Sequence, residues 1–132
     1  TIRSPLWKGG GVVFGPEPHG YSHKMPKKMS KLARKSVISK RIKDGEVIVL
    51  DTIDIESKKT SNFKSFLKDI KINQKKTLIL VSSFQENLVL ASRNLRNVFI
   101  ENARSVSVYD LLDSDIILID KVGVKILSEV LA

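Results

Sequence analysis

The chain has 132 residues, 23 Lys+Arg against 14 Asp+Glu for a net charge of +9, and no cysteine. That length suits about one domain with one core, no apolar run approaches the ~20 residues of a membrane span, and the missing cysteines exclude a disulfide framework and thiolate metal sites. The charge is segregated: residues 1–43 hold 11 Lys+Arg and one acid, Glu17, whereas residues 44–132 hold 12 Lys+Arg and 13 acids. A charge concentrated in one third of a chain points to a polyanionic partner, of which nucleic acid is the commonest.

Residues 1–25 carry most of the glycines and three of the four prolines and show little periodicity. They read as an extended, irregular arm, ordered on a partner, in which Val12-Val13-Phe14 forms a short extended piece. Residues 26–132 read as a globular α/β body that begins with a basic helix over 26–43. Pro26 suits the first turn. Met29, Leu32, Ala33, Ser36 and Val37 share one side, and Lys27, Lys31, Arg34, Lys35 and Arg41 the other, with Ile38 out of place among the cations. Asp44-Gly45 ends the helix.

The remainder alternates short apolar runs with helical periodicity. Val47 to Leu50, Thr77 to Val81, Val98 to Ile100 and Ile116 to Ile119 read as strands. They are continuously apolar, as expected where both faces are covered. Phe63, Phe66, Leu67 and Ile70 fall at i, i+3, i+4 and i+7 of one helix. Ser83 with Glu86 has capping-box spacing before a helix carrying Leu88, Ala91, Ser92 and Leu95. Ser107 with Asp110 starts a helix carrying Leu111 and Leu112. Asp120 caps a last helix with Val122, Ile126, Leu127 and Val130 inward. The pattern predicts a Rossmann-like open sheet of about four parallel strands, with helices on both faces, preceded by the basic arm.

Several chemistries can be weighed from residue types. Gly9-Gly10-Gly11-Val12-Val13-Phe14-Gly15 follows no strand and leads to prolines, so it is no dinucleotide fingerprint, and no GK[ST] triplet exists. Such glycines instead let backbone approach a partner closely. His19 and His23 lie four apart next to glycine and proline, which favours solvated or RNA-facing rings over a metal pair. A lone tryptophan often anchors a core, but Trp7, between Arg3 and Lys8 and outside any periodic element, suits stacking on a base better than core packing. From Lys24 to Lys43 no acid interrupts the cations, and phosphates would offset that self-repulsion. One alternative stays open: a doubly wound nucleotide-binding module or enzyme using Asp51, Ser82, Ser83 and Asp120 at strand ends, with the arm as a docking tail.

The segments Arg3-Ser4-Pro5-x-Trp7-Lys8-x-Gly10-Gly11-Val12-x-Phe14-Gly15, Pro26-Lys27-Lys28-Met29, Glu86-Asn87-Leu88-x-Leu90-Ala91-x-Arg93-Asn94-Leu95 and Val108-Tyr109-Asp110-Leu111-Leu112 resemble, in order and along the whole chain, the large-ribosomal-subunit protein four family of bacteria and organelles. The resemblance implies a structural, non-catalytic constituent of the large subunit, without cofactor or metal, located in a cytoplasmic or organellar ribosome. It implies that large-subunit rRNA and neighbouring large-subunit proteins are partners, with some members also binding their own mRNA leader as repressors, which leaves a free mRNA-leader-binding regulator as a further alternative, and it gives no membrane contact and no homo-oligomer. Arg3, Trp7, Lys8, Gly9, Gly10 and Gly11 match the returning half of a long loop that reaches through rRNA towards the peptide exit tunnel. His23 and Lys24 follow on the same arm. Lys27, Lys28, Lys31, Arg34 and Lys35 match the basic helix at the loop's root. In the family further segments precede the position matching Thr1, including the loop tip, and the full protein or a separate chain is expected to supply them.

Overall fold

Four short apolar runs form the centre of the molecule. The structure, a computed structural model, describes residues 2–55, 57–72 and 75–132. In chain order these hold α1 (Lys27–Lys43), β1 (Val47–Leu50), α2 (Thr60–Asp69), β2 (Thr77–Val81), α3 (Glu86–Ser92), β3 (Val98–Asn102), α4 (Val108–Asp113), β4 (Ile116–Asp120) and α5 (Lys121–Leu131). The strands form one parallel sheet in the order β1-β4-β2-β3. The expected α/β architecture of four parallel strands is therefore present.

Strand alternation sends neighbouring side chains to opposite faces. Ile79, Val81, Ile116 and Leu118 pack with Phe63 and Leu67 of α2 and Leu88 and Ala91 of α3. Leu78, Leu80, Ile117 and Ile119 pack with Leu111 of α4, Leu127 and Leu131 of α5, and Val37 and Ile38 of α1. Both faces are covered, so β2 and β4 are buried along their whole length, while the edge strands β1 and β3 are only partly so.

Local signals explain most element ends. Asp44 closes α1 and Gly45 turns the chain away at φ +73°, a conformation that suits glycine. Ser107 accepts from the Asp110 N–H and starts α4. Asp120 caps α5, its Oδ1 accepting from the Gly123 N–H at 2.7 Å. The strands β3 and β4 run on to Asn102 and Asp120, past their apolar cores.

Four expectations are corrected. Ser83 does not cap α3: the helix begins at Glu86 with Gln85 as its N-cap and no side-chain cap bond. Ser82 is instead held by Asp120, which fixes the turn upstream of the helix. Val12 to Phe14 form no strand, and Phe14 has φ 54°. Leu112 and Val122 are exposed, and the inward stripe of α5 runs through Gly123, Leu127 and Leu131. The buried stripe of α1 is also rotated from the expected one: Met29 and Leu32 are 59% and 67% exposed, while Ile38 packs with Val37 on the core. Arg41 lies on that inward side.

Candidate nucleic-acid interface

The arm begins with a closed loop made by its own backbone. The Trp7 N–H donates to the Ser4 C=O at 3.0 Å, the Gly10 N–H to the Trp7 C=O at 2.9 Å, and the Gly11 N–H to the Arg3 C=O at 3.0 Å. Gly9 takes φ +81°, and a Cβ on Gly10 would lie 1.9 Å from the Ser4 carbonyl oxygen. The glycine run is thus what lets the loop close. Closure leaves the Arg3, Leu6, Trp7 and Lys8 side chains outside, with Trp7 65% exposed. Trp7 is therefore not a core anchor.

Residues 12–26 contain no helix or strand and are exposed throughout. The His19 and Tyr21 rings meet with centroids 4.3 Å apart, and His19 Nδ1 contacts the Glu17 C=O at 3.0 Å. His23 and Lys24 are exposed. The described residues include no group of three or more potential metal ligands.

The cations of α1 divide into three sets. Lys27, Lys28, Lys35, Lys40 and Lys43 are exposed. Lys31 and Arg34 are half-buried at the root of the helix, and Lys31 lines a cleft of about 580 Å³ with Ser82, Asn102, Arg104 and Glu129. Arg104 reaches that cleft from the turn after β3, and sequence periodicity carried no sign of this juxtaposition.

Arg41 is the third case. Its Nε donates to the Leu111 C=O at 3.1 Å and its Nη2 to the Leu112 and Ser114 C=O groups at 2.8 and 2.6 Å. It also pairs with Glu46. With 16% of its side chain exposed, Arg41 is a clamp that ties α1 to the end of α4. Among the described residues, Arg41 is the only cation of residues 2–43 that makes an ion pair.

The strand-end carboxylates are occupied by structural roles. Asp120 Oδ2 accepts from the Ser82 hydroxyl at 2.8 Å while Oδ1 caps α5. Asp51 pairs with Lys121, and Asp54 accepts from the Gln85 amide. The cleft they border, with Ser83, is about 170 Å³, below the roughly 300–1,000 Å³ usual for a small-molecule site. The geometry is that of caps and turn ties, with the glycine run far outside the sheet.

A fold of this class hosts many activities, so it is the comparison with known proteins that decides among them. Residues 1–130 match the Ribosomal protein L4/L1 family. The chain belongs to this family. Its members are large-subunit ribosomal proteins, components of the ribosome and of translation, and the match spans both the arm and the α/β body.

Proposed function

We propose that this family member binds large-subunit rRNA through the arm and the outer face of α1, and acts as a structural, non-catalytic constituent that supports subunit assembly. The observation that carries this reading is a run of cations from Arg3 to Lys40, all exposed but the half-buried Lys31 and Arg34, that no acid neutralises among the described residues. Phosphate contacts by Arg3, Lys8, Lys24, Lys27, Lys28 and Lys35 would supply affinity and its salt dependence. Trp7 would stack on an unpaired base, and the Gly9–Gly11 backbone would approach the RNA closely. His23, Lys31 and Arg34 complete the surface at the arm's root, where Arg104 extends it onto the body. The placement of the arm near the peptide exit tunnel rests on the resemblance to the family.

The test is binding of large-subunit rRNA over a salt series by the chain and by a K27E/K28E/K35E variant. The variant should lose affinity, and its plot of log K against log salt should flatten by about two to three units, at ~0.7–0.9 per phosphate contact. Its melting temperature should hold, because these side chains leave the core. Unchanged affinity and slope would sink the reading.

A further inference from the structure

The sheet ends on β3, and no strand pairs with its outer edge among the described residues. Free edges are blunted by lysine, proline, bulges or a covering segment; in β3, Val98-Phe99-Ile100-Glu101-Asn102, the charges, Glu101 and the Lys76 amine over Phe99, lie on the face of Leu78 and Leu80, and the other face carries none. The Thr77 N–H donates to the Asn97 C=O at 2.8 Å and the Ala103 N–H to the Val81 C=O at 2.9 Å. In a parallel ladder that parity commits Asn97, Phe99, Glu101 and Ala103 to β2 and turns the alternate residues outward. The Val98 N–H is used by the Leu95 C=O at 3.4 Å, and the Asn102 C=O by the Ser105 N–H at 3.0 Å. The N–H and C=O of Ile100, the Val98 C=O and the Asn102 N–H face the free edge without a partner among the described residues.

Beside this edge runs a groove of about 700 Å³ between β3 and α3, with exposed Phe84 and Val89 along it and Arg93 and Arg96 at its rim; the Phe99 ring turns to the opposite face, where the Lys76 amine lies over it at 5.2 Å. Neither guanidinium is in an ion pair among the described residues. The groove adjoins the sheet face covered by α2 and α3, whereas α1 covers the opposite face.

We propose that this groove docks an extended acidic peptide segment of another protein, which adds along β3 as a fifth strand. An extended peptide repeats N–H and C=O groups at the strand's own rise of ~3.3 Å per residue and so satisfies the outward ladder groups. Its groove-facing positions, every second residue, combine apolar side chains that enter the groove with carboxylates that meet Arg93 and Arg96 at the rim. A second copy of this chain would bring like guanidiniums together. Single-stranded RNA would use the arginines and the Phe84 ring but would not continue the ladder at Ile100.

The test uses a labelled, end-blocked peptide of about six residues, a typical strand length, whose groove-facing positions carry valine and glutamate and whose alternate positions carry threonine. At a peptide concentration about ten times Kd, hydrogen exchange at the Ile100 amide should slow about tenfold, and Asn102 should follow. The lysine-for-glutamate peptide should not bind the chain, and R93E/R96E should reverse that preference with an unchanged circular dichroism spectrum. A peptide N-methylated at alternate residues on the chain-facing side should fail on the unmodified chain, whatever the variant does. An unprotected Ile100 amide at millimolar peptide, or equal binding of the N-methylated peptide, would overturn the proposal. So would displacement of the peptide by a uridine oligonucleotide that shifts the Phe84 ring.

Discussion

Arg41 separates two fates of a basic residue that sequence alone cannot tell apart. In an Arg41→Ala variant, the Leu111, Leu112 and Ser114 carbonyls lose their donors and Glu46 its partner. The Leu112 carbonyl is exposed and regains water, so its loss costs little. Glu46 is about one-third exposed, and pairing at such a site is worth ~1 kcal/mol or less. The Leu111 and Ser114 bonds are part-buried and charge-assisted, in a class worth ~1.5–3 kcal/mol each. Residual water access lowers that sum, giving a loss of about 3–4 kcal/mol from a domain stability of roughly 5–15 kcal/mol. The melting temperature should fall by roughly 10–15 °C. Lys35→Ala, on the exposed side of the same helix, should stay within ~0.5 kcal/mol. Urea unfolding followed by far-UV circular dichroism measures both. An Arg41→Ala loss below ~1 kcal/mol would refute the clamp, as would a Lys35→Ala loss of equal size.

Other predictions address the arm, the cap and one ion pair. Gly10→Ala drives a Cβ to 1.9 Å from the Ser4 oxygen, so the loop must open. Affinity for large-subunit rRNA should drop on the order of tenfold, or ~1.4 kcal/mol, while thermal melting of the body is unchanged. In Gly123→Ala the new Cβ meets Asp120 Oδ1 at 2.2 Å and Ile119 at 3.3 Å. Loss of the cap and overpacking together should cost about 2–4 kcal/mol in urea unfolding. The Lys76 amine bonds to Asp113, which raises its pKa above 10.5 against opposing desolvation. The stabilisation from this raised folded-state pKa is fully present below 10.5 and fades as pH rises through the higher folded value. Asp113→Asn should move the Lys76 titration back towards 10.5 in an NMR experiment.

The sheet was legible because its signals are local. Thr77 to Val81 is continuously apolar and lies buried at the centre of the sheet, and Asp120 and Ser107 cap the helices they precede. The orientation of α1 was not legible. Periodicity assumes a helix covered along its length, but no residue of α1 is fully buried. Met29 and Leu32 therefore project outward, and the stripe through Val37, Ile38 and Arg41 decides the packing. Polarity misplaced Arg41 for a related reason: its partners are backbone carbonyls some 70 residues away, and a carbonyl leaves no mark in composition. Of the proposed interface, the cations and the glycine loop could be read from sequence. The approach of Arg104 to Lys31 could not, since only the closed sheet brings the end of β3 to the root of α1.

The strand order has a consequence for how this protein is made. β4 lies between β1 and β2, so Val47 finds its neighbour Ile117 only after most of the body has been synthesised. Until residues 116–120 are available, β1 has no strand to join, and β2 lacks one of its two flanks. Such late, distant pairings slow closure and prolong exposure of unpaired strands. During that interval the cationic arm and α1 have already emerged, without the Leu111 to Ser114 carbonyls that will anchor Arg41. The most cationic segment thus precedes its own foundation, and its charges stay unanchored until the sheet has shut.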